Sequence, residues 1–222
     1  MAIAMIALLG GPAWAQEDMA LPERDRVSQR LETLKAIDKP DSSEQAAMDI
    51  LRGVLDTFDK LEDIAQARTE LEQRLEQGPQ AIERLQRAAR QAENAELPSA
   101  EALKNTPRDE LEANVSEMLD RLQSLRDSLA DANSRLIAAQ TLPERAQATI
   151  SESLDRIEAL RSARDQLPTG ADGPEVWKIQ VEMQLAEREL ALKRRQLETN
   201  ARSRELAQQR RDALIRQNKA LQ

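Results

Sequence analysis

The only stretch with a claim to cation chemistry is TGADGPE at 169 to 175, where Asp172 and Glu175 stand beside glycines. It lacks the alternating oxygen ligands of a calcium loop, so it reads as a turn followed by a helix entry. Carboxylates are abundant elsewhere, but they are scattered over polar helix faces, which need no catalytic explanation. The 222 residues include no His and no Cys. Imidazole bases, thiolate nucleophiles and the usual zinc ligands are thereby removed together. No Gly-rich phosphate loop and no nucleophile elbow is present. The chain reads as a non-enzyme with no metal and no cofactor.

A second candidate chemistry is electrostatic. Residues 177 to 222 hold 11 Lys or Arg against 6 Asp or Glu, in a chain of net charge -8. A basic helix is one way to meet a phosphate backbone or lipid headgroups. Acids interrupt this run, however, and with no Tyr and one Phe almost nothing could stack on a base. Pairing with the acidic segments of the same chain explains the charge better, and no nucleic-acid partner is expected.

With so little chemistry in single residues, the elements that carry them become informative. Charged residues make up 32% of the chain and aromatics 1%, so Leu and Ala supply nearly all the apolar area. Such a composition fills a thin seam between helices more readily than a three-dimensional core. The expected fold is all-α, with elongated antiparallel helical hairpins in a coiled-coil bundle. Helices are predicted at about 23 to 37, 43 to 76, 80 to 93, 107 to 140, 143 to 167 and 175 to 222, and no segment reads as strand.

The strongest seam lies in residues 106 to 140, where Leu111, Val115, Met118, Leu122, Leu125, Leu129, Ala132, Leu136 and Ala139 alternate by four and three. A second follows with Ala146, Ile150, Leu154, Ile157, Leu160 and Leu167, of which Leu154 and Leu167 fit the alternation less cleanly. Two seams joined by a short turn predict an antiparallel hairpin. Helix entries are expected at Thr106-Pro107, at Thr141-Leu142-Pro143-Glu144 and at Asp172-Gly173-Pro174. In each, an oxygen-bearing residue precedes a proline that is tolerated in the first turn, and an acid complements the positive helix end. Thr141 with Glu144 is the strict capping box. In the helix at 43 to 76, Phe58 sits on the apolar stripe and reads as core. Beyond Leu197 the seam of the last helix turns polar at Asn200, Arg204 and Arg211.

The first fifteen residues, MAIAMIALLGGPAWA, form an apolar run ending in Ala-Trp-Ala before Gln16. This reads as a secretory signal peptide at 1 to 15, too short for a membrane span. No Lys or Arg precedes Arg24, so the basic start of such a signal is expected upstream of Met1. Residues 16 to 222 are then expected to form a periplasmic helical coiled-coil domain continuing beyond 222.

The segments TPRDELEANVSEMLDRLQ at 106 to 123, LPERAQATISESLDRIEALR at 142 to 161 and ELALKRRQLETNARSRELAQQRRDAL at 189 to 214 carry a resemblance. They are similar to the periplasmic N-terminal region of large mechanosensitive channels of the MscK (KefA) and MscM type, the mechanosensitive ion channel porin domain. The resemblance implies a sensor, scaffold or vestibule above a tension-gated pore that answers osmotic downshock. It implies self-association within a homo-oligomeric channel, a heptamer, with the cell wall as a further contact. Any membrane attachment would run through downstream segments. A different reading of the same residues is a free-standing envelope coiled coil, such as a cell-wall hydrolase activator or an export adaptor hairpin. A third, a cytoplasmic filament, requires that residues 1 to 15 be no signal.

Overall fold

The computed structural model describes residues 21–95, 98–168 and 170–221, and the segment read as a signal peptide lies outside them. The described residues form five helices: α1 (Arg24–Lys35), α2 (Ser42–Glu93), α3 (Ala100–Asn105), α4 (Arg108–Asp165) and α5 (Pro174–Ala220). Among them there is no strand, and the chain is all-α.

α5 is the element on which both α2 and α4 pack, while α1 folds back on α2. The contacts fix the directions. Leu51 and Val54 share a buried cluster with Trp177 and Val181, and farther along Glu72 pairs with Arg195, so α2 and α5 run parallel. Arg156 faces Glu182 whereas Asp131 faces Arg210, so α4 runs antiparallel to α5. Arg24 meets Asp59, which makes α1 and α2 an antiparallel hairpin. Because α5 carries contact surface for two long helices, its apolar positions spread round more of its circumference than one seam would need. Trp177, Val181, Leu185, Ala186, Leu192, Ala213 and Leu214 are all buried. The seam thus resumes after the polar positions at Asn200 and Arg204, and Asn200 is itself buried.

Two predicted helix breaks are absent. α2 passes through Gly78-Pro79, and α4 passes through Leu142-Pro143 without interruption. The expected hairpin of 107 to 140 against 143 to 167 is therefore corrected to one helix of 58 residues, whose partner is α5. Thr141 caps no helix start, since its hydroxyl donates to the carbonyls of Ile137 and Ala138 one turn back. Glu144 is likewise in mid-helix. A proline inside a helix costs about 3 kcal/mol through a lost hydrogen bond and a crowded carbonyl. Here the packing seam outweighs that penalty. The buried residues Ala132, Ala139, Ala146 and Ser153 recur every seventh position straight across Pro143.

A consequence can be measured. Replacing Pro143 with alanine should raise stability by about 1–3 kcal/mol in urea unfolding, because it restores an interior hydrogen bond. Were Pro143 in the first turn of a separate helix, the same change would be nearly neutral.

The other expected caps also differ. Pro107 occupies the position before α4 and provides no side-chain cap, with Thr106 one residue earlier. Gly173 occupies the corresponding place before α5, which leaves Asp172 outside the helix and engaged elsewhere. A complete capping box does occur at α2. The Asp41 carboxylate accepts the amides of Ser43 and Glu44, and the Glu44 side chain accepts the Asp41 amide.

Candidate functional site

At the end of the bundle where α1, α2 and α5 meet, apolar residues from all three helices converge. Val27, Leu31, Leu34, Met48, Leu51, Val54, Trp177 and Val181 form one buried cluster. Its polar lid is Asp172. One carboxylate oxygen accepts the Trp177 indole N–H at 2.6 Å, and the other accepts Arg26 Nη2 at 2.5 Å. The Arg26 guanidinium lies 4.8 Å from the centre of the Trp177 ring, within the range of a cation–π contact. The residue expected to cap α5 instead ties the loop before α5 to both α1 and the α5 indole.

The Trp177 indole hydrogen bond, followed by that of Arg26, holds the Asp172 carboxyl below the usual carboxylate range. Arg195, which donates to Glu72 through Nε at 2.8 Å and Nη2 at 3.1 Å, does the same for Glu72. At Asp41 the cause is the Glu44 amide first, then the Ser43 hydroxyl. Folding therefore favours the ionised form of all three. Their stabilisation is fully present above the unfolded carboxylate pKa of about 4 and is lost as pH falls through the lower folded values. Urea midpoints should accordingly stay flat from neutral pH to about pH 5 and drop below about pH 4, and Asp172→Asn should shrink that drop.

Farther along the bundle a groove opens between α2 and α4, with α5 as its floor. Its cavity of about 320 Å³ is lined by Leu71, Leu75 and Ala81 of α2, Ala138, Ala139 and Leu142 of α4, and Asn200, Leu206 and Ala207 of α5. Gly78 sets the approach of α2 to α5 here, since a Cβ at that position would stand 2.9 Å from Leu206 Cδ1. The small residues leave the space, and the leucines make it apolar.

The predicted seam residues of α4 separate into three groups. Leu136 and Ile157 are buried against the bundle, and Leu111, Leu122, Leu125, Leu129, Ile150 and Leu160 are half-buried. Val115, Met118 and Leu154 are exposed, at 59%, 48% and 45%. Val115 and Met118 lie where α4 runs past the described residues of α5. Asp131 of α4 lies opposite Arg210, so the last described residues of α5 reach only to about position 121 of α4. Every residue from 112 to 120 is exposed.

Sequence reasoning passed over Arg26 and Trp177. The available signal was an acid five residues before one of two tryptophans in a chain nearly devoid of aromatics. Among the described residues no group of three or more acidic side chains is placed to hold a metal ion. No helix among them is long and apolar enough to cross a membrane.

Comparison with known proteins gives one family match, to the mechanosensitive ion channel porin domain, over residues 30–222. The mechanosensitive channel MscK of Escherichia coli (strain K12) is 27% identical over 142 residues, which cover 61% of this chain and 12% of the relative. The chain thus corresponds to a small part of that relative's length. No solved structure matches it.

Proposed function

Because the chain belongs to the mechanosensitive ion channel porin domain family, we propose that it is the non-catalytic periplasmic domain of a tension-gated channel that answers osmotic downshock. In this reading residues 1 to 15 direct export, and residues 16 to 222 form the periplasmic domain. It serves as sensor or scaffold above the pore of a homo-oligomer, a heptamer in the family. The cell wall is its outer contact, and the rest of the channel tethers it to the inner membrane.

The observation that carries this reading is the packing of two long unbroken helices on a third. α4 would span roughly 87 Å and α5 roughly 70 Å at 1.5 Å per residue. Helices packed side by side over such lengths convert a displacement at one end into sliding or tilting at the other. Interfaces of this kind move by small steps of packed helices rather than by bending.

The test is made in the full channel. Deleting residues 23 to 220 should change the membrane tension at half-opening in patch-clamp records and alter survival of osmotic downshock. A deletion channel that assembles normally and gates at the unaltered tension would remove the sensory role.

A further inference from the structure

The groove between α2 and α4 has a composition that the channel reading does not use. Its walls are leucine and alanine, yet four guanidinium groups stand round it: Arg74, Arg135, Arg145 and Arg210. Two carboxylates face them. Glu70 lies 3.9 Å from Arg74, and Asp131 is shared between Arg135 at 2.9 Å and Arg210 at 3.8 Å. Arg145 instead donates to the Ala138 carbonyl and the Thr141 hydroxyl. The rim therefore carries positive charge in excess over an apolar interior.

Two polar atoms point to contents. Asn200 is 8% exposed and lines the cavity, and its Oδ1 has no hydrogen-bond partner in the protein. The Arg210 Nε–H is buried without an acceptor. A buried polar atom left unpaired is costly, so such atoms are normally satisfied by water or by a ligand. The cavity volume of about 320 Å³ is at the small end of ligand pockets. It suits one acyl chain rather than two.

We propose that this groove binds a single-chain amphiphile with an anionic head, its chain lying on the leucines and its head held by the arginine rim. A carboxylate or phosphate oxygen engages the guanidinium groups of Arg145 and Arg210 at the rim. At the floor, Asn200 takes a hydroxyl or ordered water that enters with the ligand. A fatty acid and a lysophospholipid share this chemistry. The proposal is independent of the channel reading.

The test titrates the purified chain with dansyl-labelled undecanoate and follows fluorescence. Saturable binding of one probe per chain is expected. Laurate and lysophosphatidylglycerol should displace it, and the tighter of the two identifies the source of the head group. Arg145→Gln and Arg210→Gln should each weaken binding by about tenfold, the loss of one charge-assisted contact. The double substitution Ala81→Leu, Ala207→Leu should abolish binding by filling the cavity. Circular dichroism and thermal midpoints of the arginine variants serve to separate lost binding from lost folding. Displacement by dodecanol as strongly as by laurate, or by inorganic phosphate alone, would overturn the proposal. So would undiminished binding in the cavity-filled variant, or a dimer whose formation expels the probe and so gives the groove to a second copy.

Discussion

Replacing Val181 with aspartate should abolish the cooperative thermal transition of the α1, α2 and α5 end of the bundle. Val181 is 0% exposed and sits between Trp177 and Leu185 on the face of α5 that meets Leu51, also 0% exposed. A carboxylate there has no partner in the cluster. An unpaired buried charge, or a forced protonation in its place, costs several kcal/mol, a large fraction of the ~5–15 kcal/mol that holds a domain together. Val115→Asp is the matched comparison. It lies on the α4 stripe that the sequence marks as a seam, but with its side exposed it should change stability by no more than about 0.5 kcal/mol. Equal loss from both substitutions, read from thermal or urea midpoints, would mean that Val115 is covered in solution.

Trp177→Ala should be the second most damaging single change, at about 3–5 kcal/mol, the usual range for a large aromatic removed from a core. The loss combines a cavity among Val27, Leu31, Leu51 and Val181 with an uncoupled Asp172. Trp177→Phe isolates the second part, since most of the ring volume stays and the N–H donor goes. It should cost less, about 1–2 kcal/mol. A cycle with Asp172→Asn should show coupling between the two positions, because they share one hydrogen bond. Additive effects would mean that the indole is held by packing alone.

The fold class was legible because it rests on composition and periodicity. Leu and Ala at alternating spacings of three and four, with few aromatics, admit only long helices with thin seams. The number of helices is misread at two prolines and at the short α3, which none of the predicted helices covers. Local rules place Pro143 after Thr141 and before Glu144 as a helix start, and those rules rank correctly what an isolated segment prefers. The interior penalty is smaller than the packing of a 58-residue helix on α5, so context prevails. The sequence did contain the correction. Leu136, Ile150 and Ile157 fall in one heptad frame that runs through position 143, and two helices joined by a turn have no reason to keep frame.

Partner choice was less legible. A seam states that something covers it without saying what, so Val115 reads as equivalent to Leu136 although only Leu136 is buried, while Leu154, which fits the alternation less cleanly, is exposed. The Asp172–Trp177–Arg26 contact joins residues 146 positions apart, and nothing local to Arg26 announces it. The groove depends on the register of three helices. Gly78 looks like a helix breaker in one dimension, but it is the place where Leu206 needs the room of an absent Cβ.

The central claim, that this helical stack passes displacement to a pore, is tested most directly by fastening α2 to α5. The chain has no cysteine of its own, and Leu206 Cγ lies 3.6 Å from where a Gly78 Cβ would stand. Leu206 Cβ is one bond of about 1.5 Å from that Cγ, which places the pair Gly78→Cys, Leu206→Cys near the Cβ separation of about 3.5–4.5 Å that a disulfide requires. In the full channel, patch-clamp under graded suction should show a shifted opening tension after oxidation, returning to the original value with reductant. Quantitative cross-linking with no change in opening tension would contradict the claim.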